Sequence, residues 1–273
     1  LHNLIMICRK VLETNKRTRS PKLKISELRK YRANMLKIPS GNDELDEMLG
    51  GGIELEALTE VYGAFASGKT QFCYSTLVEA MFRHMWKCVW IDCEDTFDPE
   101  RLHQIIRARG YGKDMTDEQL DDFVDRKLSY VHTPNTDTVV EEVQNLSPRL
   151  VEDESIKLII IDGATGQFRE EYLGRGTLAS RQQNLAKFMG VLKNSAYFFN
   201  VAVLMTNQVL SDPSQSYGDN IRPVGGHIVG HASTYRLYFK KSGKKRFATA
   251  VDSPKQAVFD CEFTLTDKGI DNP

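Results

Sequence analysis

From about residue 56 onward, short apolar runs alternate with stretches whose apolar residues recur every three or four positions. "EALTEVYG" predicts a strand, and "KTQFCYSTLVEAMFRHM" a helix with one apolar face. "KCVWID" is again strand-like, "DPERLHQIIRARG" is a helix closed by glycine, and "KLSYVHT" is a strand followed by a helix from Asp137 to Leu150. "KLIIID" carries the unbroken apolar run Leu158 to Ile161, as expected of a buried parallel strand. "RQQNLAKFMGVLKNSAYFFN" then predicts a helix and "VAVLMTNQ" a strand. Alternation of this kind builds βαβ units on a mainly parallel sheet. The pattern changes at the C-terminal end. "TYRLYFKKSGKKRFATAVDSP" and "QAVFDCEFTLTDKGI" are strands joined by turns, one at Ser242-Gly243, with no helix between them. The expected fold is α/β: a mainly parallel twisted sheet flanked by helices, with an antiparallel C-terminal extension.

Ahead of this pattern lies a turn-rich stretch, "KIPSGNDELDEMLGGGI", in which Ser40 is expected to cap a helix from Asp43 to Leu49 that stops at Gly50-Gly51-Gly52. Residues 1–37 are different again. They carry eleven Lys and Arg against Glu13 and Glu27, a local charge of +9 that leaves about −10 on the rest of a chain whose net charge is −1. The expected division is a basic arm or linker over 1–37 and a core over 38–273. A basic arm on an acidic body suits a polyanionic partner, and a merely solvated linker fits the same charges. Composition, with 41% apolar and 27% charged residues, is that of a soluble globular protein. No apolar run reaches the ~20 residues of a membrane span, so no membrane partner is expected. The five cysteines (Cys8, Cys73, Cys88, Cys93, Cys261) form no Cys-x-x-Cys pair, which points to a reducing compartment and away from a zinc site or a disulfide framework. The chain begins at Leu1 rather than Met, which raises the expectation of a fragment lacking an N-terminal domain.

Candidate chemistry starts at "VYGAFASGKTQF". Gly63-Ala64-Phe65-Ala66-Ser67-Gly68-Lys69-Thr70, followed by Gln71, has the spacing of a phosphate-binding P-loop, after a strand and opening a helix. Glycines let backbone N–H groups turn inward and the helix N-terminus favours an anion. Lys69 would reach the β- and γ-phosphates, and Thr70 would ligate Mg²⁺. The bland reading is a glycine-rich turn; the strand–helix setting argues against it. Asp162, closing the apolar strand Leu158–Ile161, is placed to support the Mg²⁺ shell. Glu94, just past the strand "WIDCE", is either a surface acid or the general base for an attacking water, and beside the other two elements the base is favoured.

The chain resembles the RecA-like recombinase family, most closely its archaeal RadA and eukaryotic strand-exchange branches. The resemblance runs from about Ile38 to Ile270 and rests on "GNDELDEMLGGGIELEALTEVYG", "SGKTQ", "IDCEDTFDPERL", "FREEYLGRGTLASRQQNL", "MTNQV", "RPVGGHIVGHASTYRLYF" and "AVDSP". It implies a RecA-type P-loop NTPase core that hydrolyses ATP with Mg²⁺, stimulated by DNA. It further implies binding of single- and double-stranded DNA, and homo-oligomers, filament or ring, with ATP between neighbouring subunits. Carried onto this chain, the resemblance makes Lys69, Glu94 and Gln208 the catalytic set, with Gln208 coupling the γ-phosphate to the second DNA-binding loop. Arg101 would stack on adenine. His231 would link the second loop to the nucleotide, and Asp252 and Pro254 would cap a neighbour's ATP. The first DNA loop would be "REEYLGRGTLASRQQ", contributing Arg169, Tyr172, Arg175 and Arg181, with Gly174 and Gly176 giving close backbone approach. The second would be residues 209–226, ending in Gly225 and Gly226 and mobile without DNA. Read without the resemblance, the first of these loops is a solvated hairpin with ordinary surface charge.

The implied activity is homologous pairing and strand exchange in recombinational repair, in the cytoplasm beside the nucleoid or, in a eukaryote, in the nucleus. Departures from the family pattern are Ala64 and Ala66 in the loop, Asp98 where an arginine is common, and Gly163 in place of a serine after Asp162. The loss of that hydroxyl is expected to remove a hydrogen bond near the metal. The family's Phe-x-x-Ala plug has no counterpart before Phe65, the first phenylalanine. Two expectations follow: a chain trimmed at its N-terminus, or a recombinase-like paralogue or accessory protein that binds nucleotide and partners with little strand exchange.

Overall fold

The computed structural model describes residues 24–170, 178–211, 221–243, 245–254 and 260–273. Helix α1 (Ile25–Ala33) has no buried residue and is held by its side chains: Tyr31 donates to Glu56 and Arg32 pairs with Glu54 at 3.5 Å. Strand β1 (Lys37–Ile38) pairs antiparallel with β2 (Ile53–Glu54) around α2 (Asp43–Met48). The cap of α2 is Asn42, whose side chain accepts from Leu45 N at 2.8 Å, and not Ser40. Ser40 is instead buried beside the helix, with its own N–H donating to Asp46.

The main sequence of elements follows: β3 (Leu58–Gly63), α3 (Lys69–Val78, widening into a π turn over Glu79–Arg83), β4 (Lys87–Asp92), α4 (Pro99–Ala108), α5 (Asp117–Lys127), β5 (Leu128–His132), α6 (Thr136–Glu152), β6 (Ile156–Asp162), α7 (Ala164–Glu170), α8 (Leu178–Phe199) and β7 (Ala202–Asn207). A short antiparallel pair, β8 (Val209–Ser211) and β9 (Ile221–Pro223), precedes α9 (Gly226–Ala232). The chain closes with β10 (Tyr235–Ser242), β11 (Lys245–Asp252), β12 (Asp260–Thr266) and β13 (Gly269–Asp271).

Nine of these strands form one sheet in the order β13-β12-β11-β10-β3-β7-β6-β4-β5. From β10 to β5 every pairing is parallel; from β10 to β13 every pairing is antiparallel. The mixed sheet is the α/β architecture with an antiparallel extension expected from the sequence. The central strands are apolar along most of their length because both faces are covered, with buried polar groups such as Glu60 and Asn207 each held by hydrogen bonds. Along β6, Leu158 and Ile160 pack in the cluster that contains α3 and α4, while Ile159 and Ile161 pack against α6 and α8. The same alternation holds for Trp90 and Ile91 in β4 and for Leu204 and Met205 in β7. Each such side chain, fully removed from water, contributes about 1.5–3 kcal/mol.

Two features of this packing build the site. Helix α3 is buried on nearly all sides, and Ser75 in its middle accepts a hydrogen bond from Ile270 N at 2.8 Å. A Cβ on Gly269 (φ +84°) would lie 2.4 Å from Ser75 Oγ, so glycine lets β13 approach the helix that closely. The β12–β13 turn is thereby folded over the start of α3. The second feature is Asp92 at the end of β4. Its buried carboxylate accepts from the backbone N–H groups of Glu94, Thr96 and Phe97 at 3.0–3.1 Å, fixing the loop that carries Glu94. Among the described residues no helix is long and apolar enough to cross a membrane.

Candidate functional site

At the C-terminal edge of the parallel strands, Gly63 leaves β3 and the loop to Lys69 turns back on itself, with Ala66 at φ +58° and Gly68 at φ +108°. Residues 65–71 line a cavity of about 550 Å³ together with Glu94, Thr96 and Arg101. Lys69 Nζ donates to the carbonyls of Gly63 and Ala64 at 3.0 and 3.1 Å, bridging its own loop. Burial draws the Lys69 ammonium below its ordinary pKa, opposed by the charges of Glu94 and Asp162. Phe65 is 96% exposed at the cavity mouth.

Asp162 is almost wholly buried at the end of β6. Thr206 donates to its Oδ1, while Oδ2 is a buried oxygen with no hydrogen-bond partner. Burial pushes the carboxyl up to about 6, while the Thr206 and nearby Thr70 hydroxyls pull it the other way. An unsatisfied buried carboxylate oxygen next to a threonine hydroxyl is a donor set that fits a hard divalent cation. The hydroxyl missing at Gly163 is made good from elsewhere: Thr206 of β7 both bonds Asp162 and accepts the Gly163 N–H at 2.9 Å.

Glu94 and Gln208 meet directly, Gln208 Nε2 donating to Glu94 Oε1 at 2.8 Å. Arg101, which lines the same cavity, is fixed by hydrogen bonds. Its Nε and Nη2 donate to Gln71 Oε1 at 2.9 and 2.7 Å, and Nη2 also reaches the Thr266 carbonyl at 2.7 Å. Asp98, the residue that departs from the family pattern, caps α4 by accepting from Glu100 N and Arg101 N. The cavity also contains Arg246, Leu265, Thr266 and Asp267, which sequence reasoning missed. Nothing local marks them; β11 and the β12–β13 turn bring them in only because the extension folds over α3.

His231 and Asp252 lie elsewhere. With Arg222, Gly226, His227 and Arg236 they line a second cavity of about 500 Å³ that shares no residue with the first. Val61, Leu237 and Phe239 pack in the α3-side cluster, so their strand neighbours Glu60 and Arg236 project from the other face of the sheet. Arg236 Nε donates to the fully buried Glu60 at 2.7 Å, and its guanidinium lies 5.4 Å from the centre of the Tyr62 ring. Asn207 donates to the other Glu60 oxygen at 2.6 Å and to the Val224 carbonyl at 2.8 Å, and it accepts from Thr165. Pro254 is exposed and lines neither cavity.

Of the candidate DNA contacts, Arg169 is exposed in the last turn of α7, and Arg181 stands in the first turn of α8. Both flanks of the expected first loop are thus helical. Tyr172, Arg175 and the middle of the second loop lie outside the described residues. The ends of the second loop are paired as β8 and β9, and Val224 N donates to the Gln208 carbonyl at 3.0 Å. Gly225 (φ +84°) caps α9 and Gly226 begins it.

Residues 31–273 match the Rad51 family profile. The chain is 44% identical over 251 residues to the DNA repair and recombination protein RadA of Cenarchaeum symbiosum, covering 90% of this chain and 61% of that protein. It is 36% identical over 284 residues to the protein of the same name from Ignicoccus hospitalis, covering 99% of this chain and 81% of the relative. The Aeropyrum pernix protein of that name is 40% identical over 246 residues, covering 88% and 74%. The chain therefore spans 61% of the length of the first of these relatives.

Proposed function

The chain belongs to the Rad51 family, and from that membership we propose that it is an ATP-dependent DNA recombinase. In this reading it pairs homologous strands during recombinational repair and hydrolyses ATP held between adjacent copies. The observation that carries it is the meeting, in one cavity, of Lys69, Thr70, Glu94 and Arg101, with Asp162 beneath them. The names of the relatives agree with it.

Each residue has a distinct task. The loop N–H groups at the start of α3 and the Lys69 ammonium hold phosphate oxygens, while Arg101 offers a flat cationic surface to the base. Thr70 and Asp162 would hold Mg²⁺, which when bound neutralises charge on the β- and γ-phosphates. Glu94 orients an attacking water and takes its proton, and Gln208 links that carboxylate to the segment expected to touch DNA. His231 and Asp252 face the nucleotide of a neighbouring copy, since their cavity is separate from this chain's own P-loop. Arg169, Arg181 and the segment between them bind the strand by its backbone.

Strand exchange replaces one set of base pairs with another and is nearly neutral in energy. ATP binding can order the assembly on DNA, and hydrolysis then weakens the contacts between copies and releases product. Turnover should accordingly be slow alone and faster with single-stranded DNA. Steady-state ATP hydrolysis with and without DNA tests this, with Lys69→Ala expected to abolish both rates. Failure of the folded protein to bind ATP·Mg²⁺ in calorimetry would overturn the proposal.

A further inference from the structure

Arg101 stands in the first turn of α4, and every in-plane N–H of its guanidinium has an acceptor within the chain. Nε and Nη2 both donate to Gln71 Oε1, at 2.9 and 2.7 Å, and Nη2 donates as well to the Thr266 carbonyl at 2.7 Å. Nη1 donates to the Gln104 side-chain oxygen and, at 3.5 Å, to the Asp267 carbonyl. A guanidinium has no other donors. With its edge consumed, only its two flat faces are left for a ligand. Such a face takes an aromatic ring, not a phosphate or a sugar hydroxyl.

The groups that consume the edge are themselves fixed. Gln71 follows Thr70 in the first turn of α3, the helix that opens at the phosphate loop. The β12–β13 turn, which supplies the two carbonyls, is pinned to α4. Arg109 donates to the Lys268 and Ile270 carbonyls at 2.8 and 3.0 Å, and Gln104 donates to the Asp267 carboxylate at 2.8 Å. Gly269 lets the same turn close on α3, since a Cβ there would lie 3.6 Å from the Gln71 carbonyl oxygen as well as against Ser75. Among the acceptors, the Gln71 amide oxygen alone takes hydrogen bonds from two neighbouring nitrogens, and two points of contact fix the direction in which the edge faces.

We propose that Gln71 is a positioning residue for the nucleobase: with the β12–β13 turn it locks the Arg101 guanidinium by its edge and leaves a flat plate to stack on the base. The proposal rests on the ATPase reading above and deepens it. Gln71 adjoins the phosphate loop, yet its side-chain oxygen is spent on Arg101 and has no proton to offer a phosphate. The grip on the phosphates and the grip on the base are joined through this one residue of α3. Stacking grows with ring area and ignores the hydrogen-bonding pattern of the base, so the plate favours purines over pyrimidines.

The quantity to measure is the ratio of affinities for ATP·Mg²⁺ and tripolyphosphate·Mg²⁺ in calorimetry, which isolates what the nucleoside adds to the phosphate grip. Arg101→Ala should lower that ratio about tenfold, the weight of a desolvated cation–aromatic contact. Gln71→Leu keeps the bulk but removes the acceptor, and should lower it about fivefold, the order of one hydrogen bond. Gln71→Glu keeps an accepting oxygen and should hold the ratio within about twofold, because its added charge acts on both ligands alike. Placed on Arg101→Ala, Gln71→Leu should cost nothing further, since it acts only through the guanidinium.

A ratio unchanged in Gln71→Leu while Arg101→Ala lowers it would overturn the positioning role. So would an undiminished loss from Gln71→Leu in the Arg101→Ala background, which would put Gln71 on the nucleotide itself. Either result leaves the ATPase reading standing, whereas a folded wild-type chain that binds neither ligand would overturn both. If Gln71→Leu folds poorly, Gln71→Ala takes its place in the same cycle.

Discussion

Asp162 shows how a residue suited to a ligand costs the protein that lacks it. One oxygen receives the Thr206 hydroxyl, the other has no partner, and burial pushes the carboxyl up to about 6 from the ordinary 3.8. Below about pH 4 it is neutral in the folded protein and largely neutral in the unfolded chain, and little stability is at stake. Between pH 4 and 6 the unfolded chain ionises first, so stability falls as pH rises, by at most about 3 kcal/mol once the folded group is ionised too. Asp162→Asn removes that charge at constant size. Without Mg²⁺ or nucleotide, the variant should melt higher than wild type at pH 7.5, and the gap should close toward pH 4, while ATP turnover is lost. Equal melting temperatures at both pH values would show that the buried charge carries no such penalty. The same scale separates what the sequence revealed of the site from what it hid. Lys69, Thr70, Glu94 and Asp162 are legible because each sits at a recognisable strand end or loop. Arg246, Thr266 and Asp267 have no local signature, and only the docking of β13 on Ser75 brings them to the cavity.

Between elements, a central polar tie is Glu60, fully buried on β3 and shared by Asn207 at the end of β7 and Arg236 on β10. Through Asn207 it reaches Thr165 in α7 and the Val224 carbonyl beside β9, so one carboxylate joins three strands to the bases of both expected DNA loops. Glu60→Ala strands a guanidinium and an amide in the interior and should cost about 3–5 kcal/mol in urea unfolding. Glu60→Gln, which keeps one accepting oxygen, should cost less; identical losses would mean that the charge, not the hydrogen bonding, governs. The helices missed in the sequence were hidden for two opposite reasons. Helix α5, "DEQLDDFVDRK", buries only Leu120 and Phe123 and shows too narrow an apolar stripe to read. Helix α7 is the reverse, with Thr165, Gly166 and Gln167 all buried, so its polar letters read as loop. Strands such as β6 were legible because double-sided burial leaves an unbroken apolar run, Leu158 to Ile161, between its polar ends.

At the scale of the whole molecule the decisive fact is the separation of the two cavities. Lys69 and Arg101 lie beside α3, whereas Arg236, with His231 and Asp252 in its cavity, projects from the opposite face of the sheet. In the proposed reading, the two sets serve one nucleotide only when two copies pack head to tail. Such a heterologous contact repeats from copy to copy and gives a ring or an open filament. Phe65, almost fully exposed at the mouth of the first cavity, would then be covered by the neighbour. The arrangement makes a prediction that no single-site enzyme shares. Lys69→Ala removes the phosphate grip of a copy but leaves its second cavity whole; Asp252→Ala does the converse. Each variant alone should turn over little ATP in the presence of single-stranded DNA. Mixed in equal amounts under assembly conditions, they place an intact phosphate loop against an intact second cavity at about a quarter of random head-to-tail junctions, so roughly that fraction of wild-type turnover should return. The recovery should vanish on dilution below the concentration at which the copies associate. A mixture no more active than the average of its components would mean that the nucleotide is served by one chain alone, and the second cavity would need another occupant.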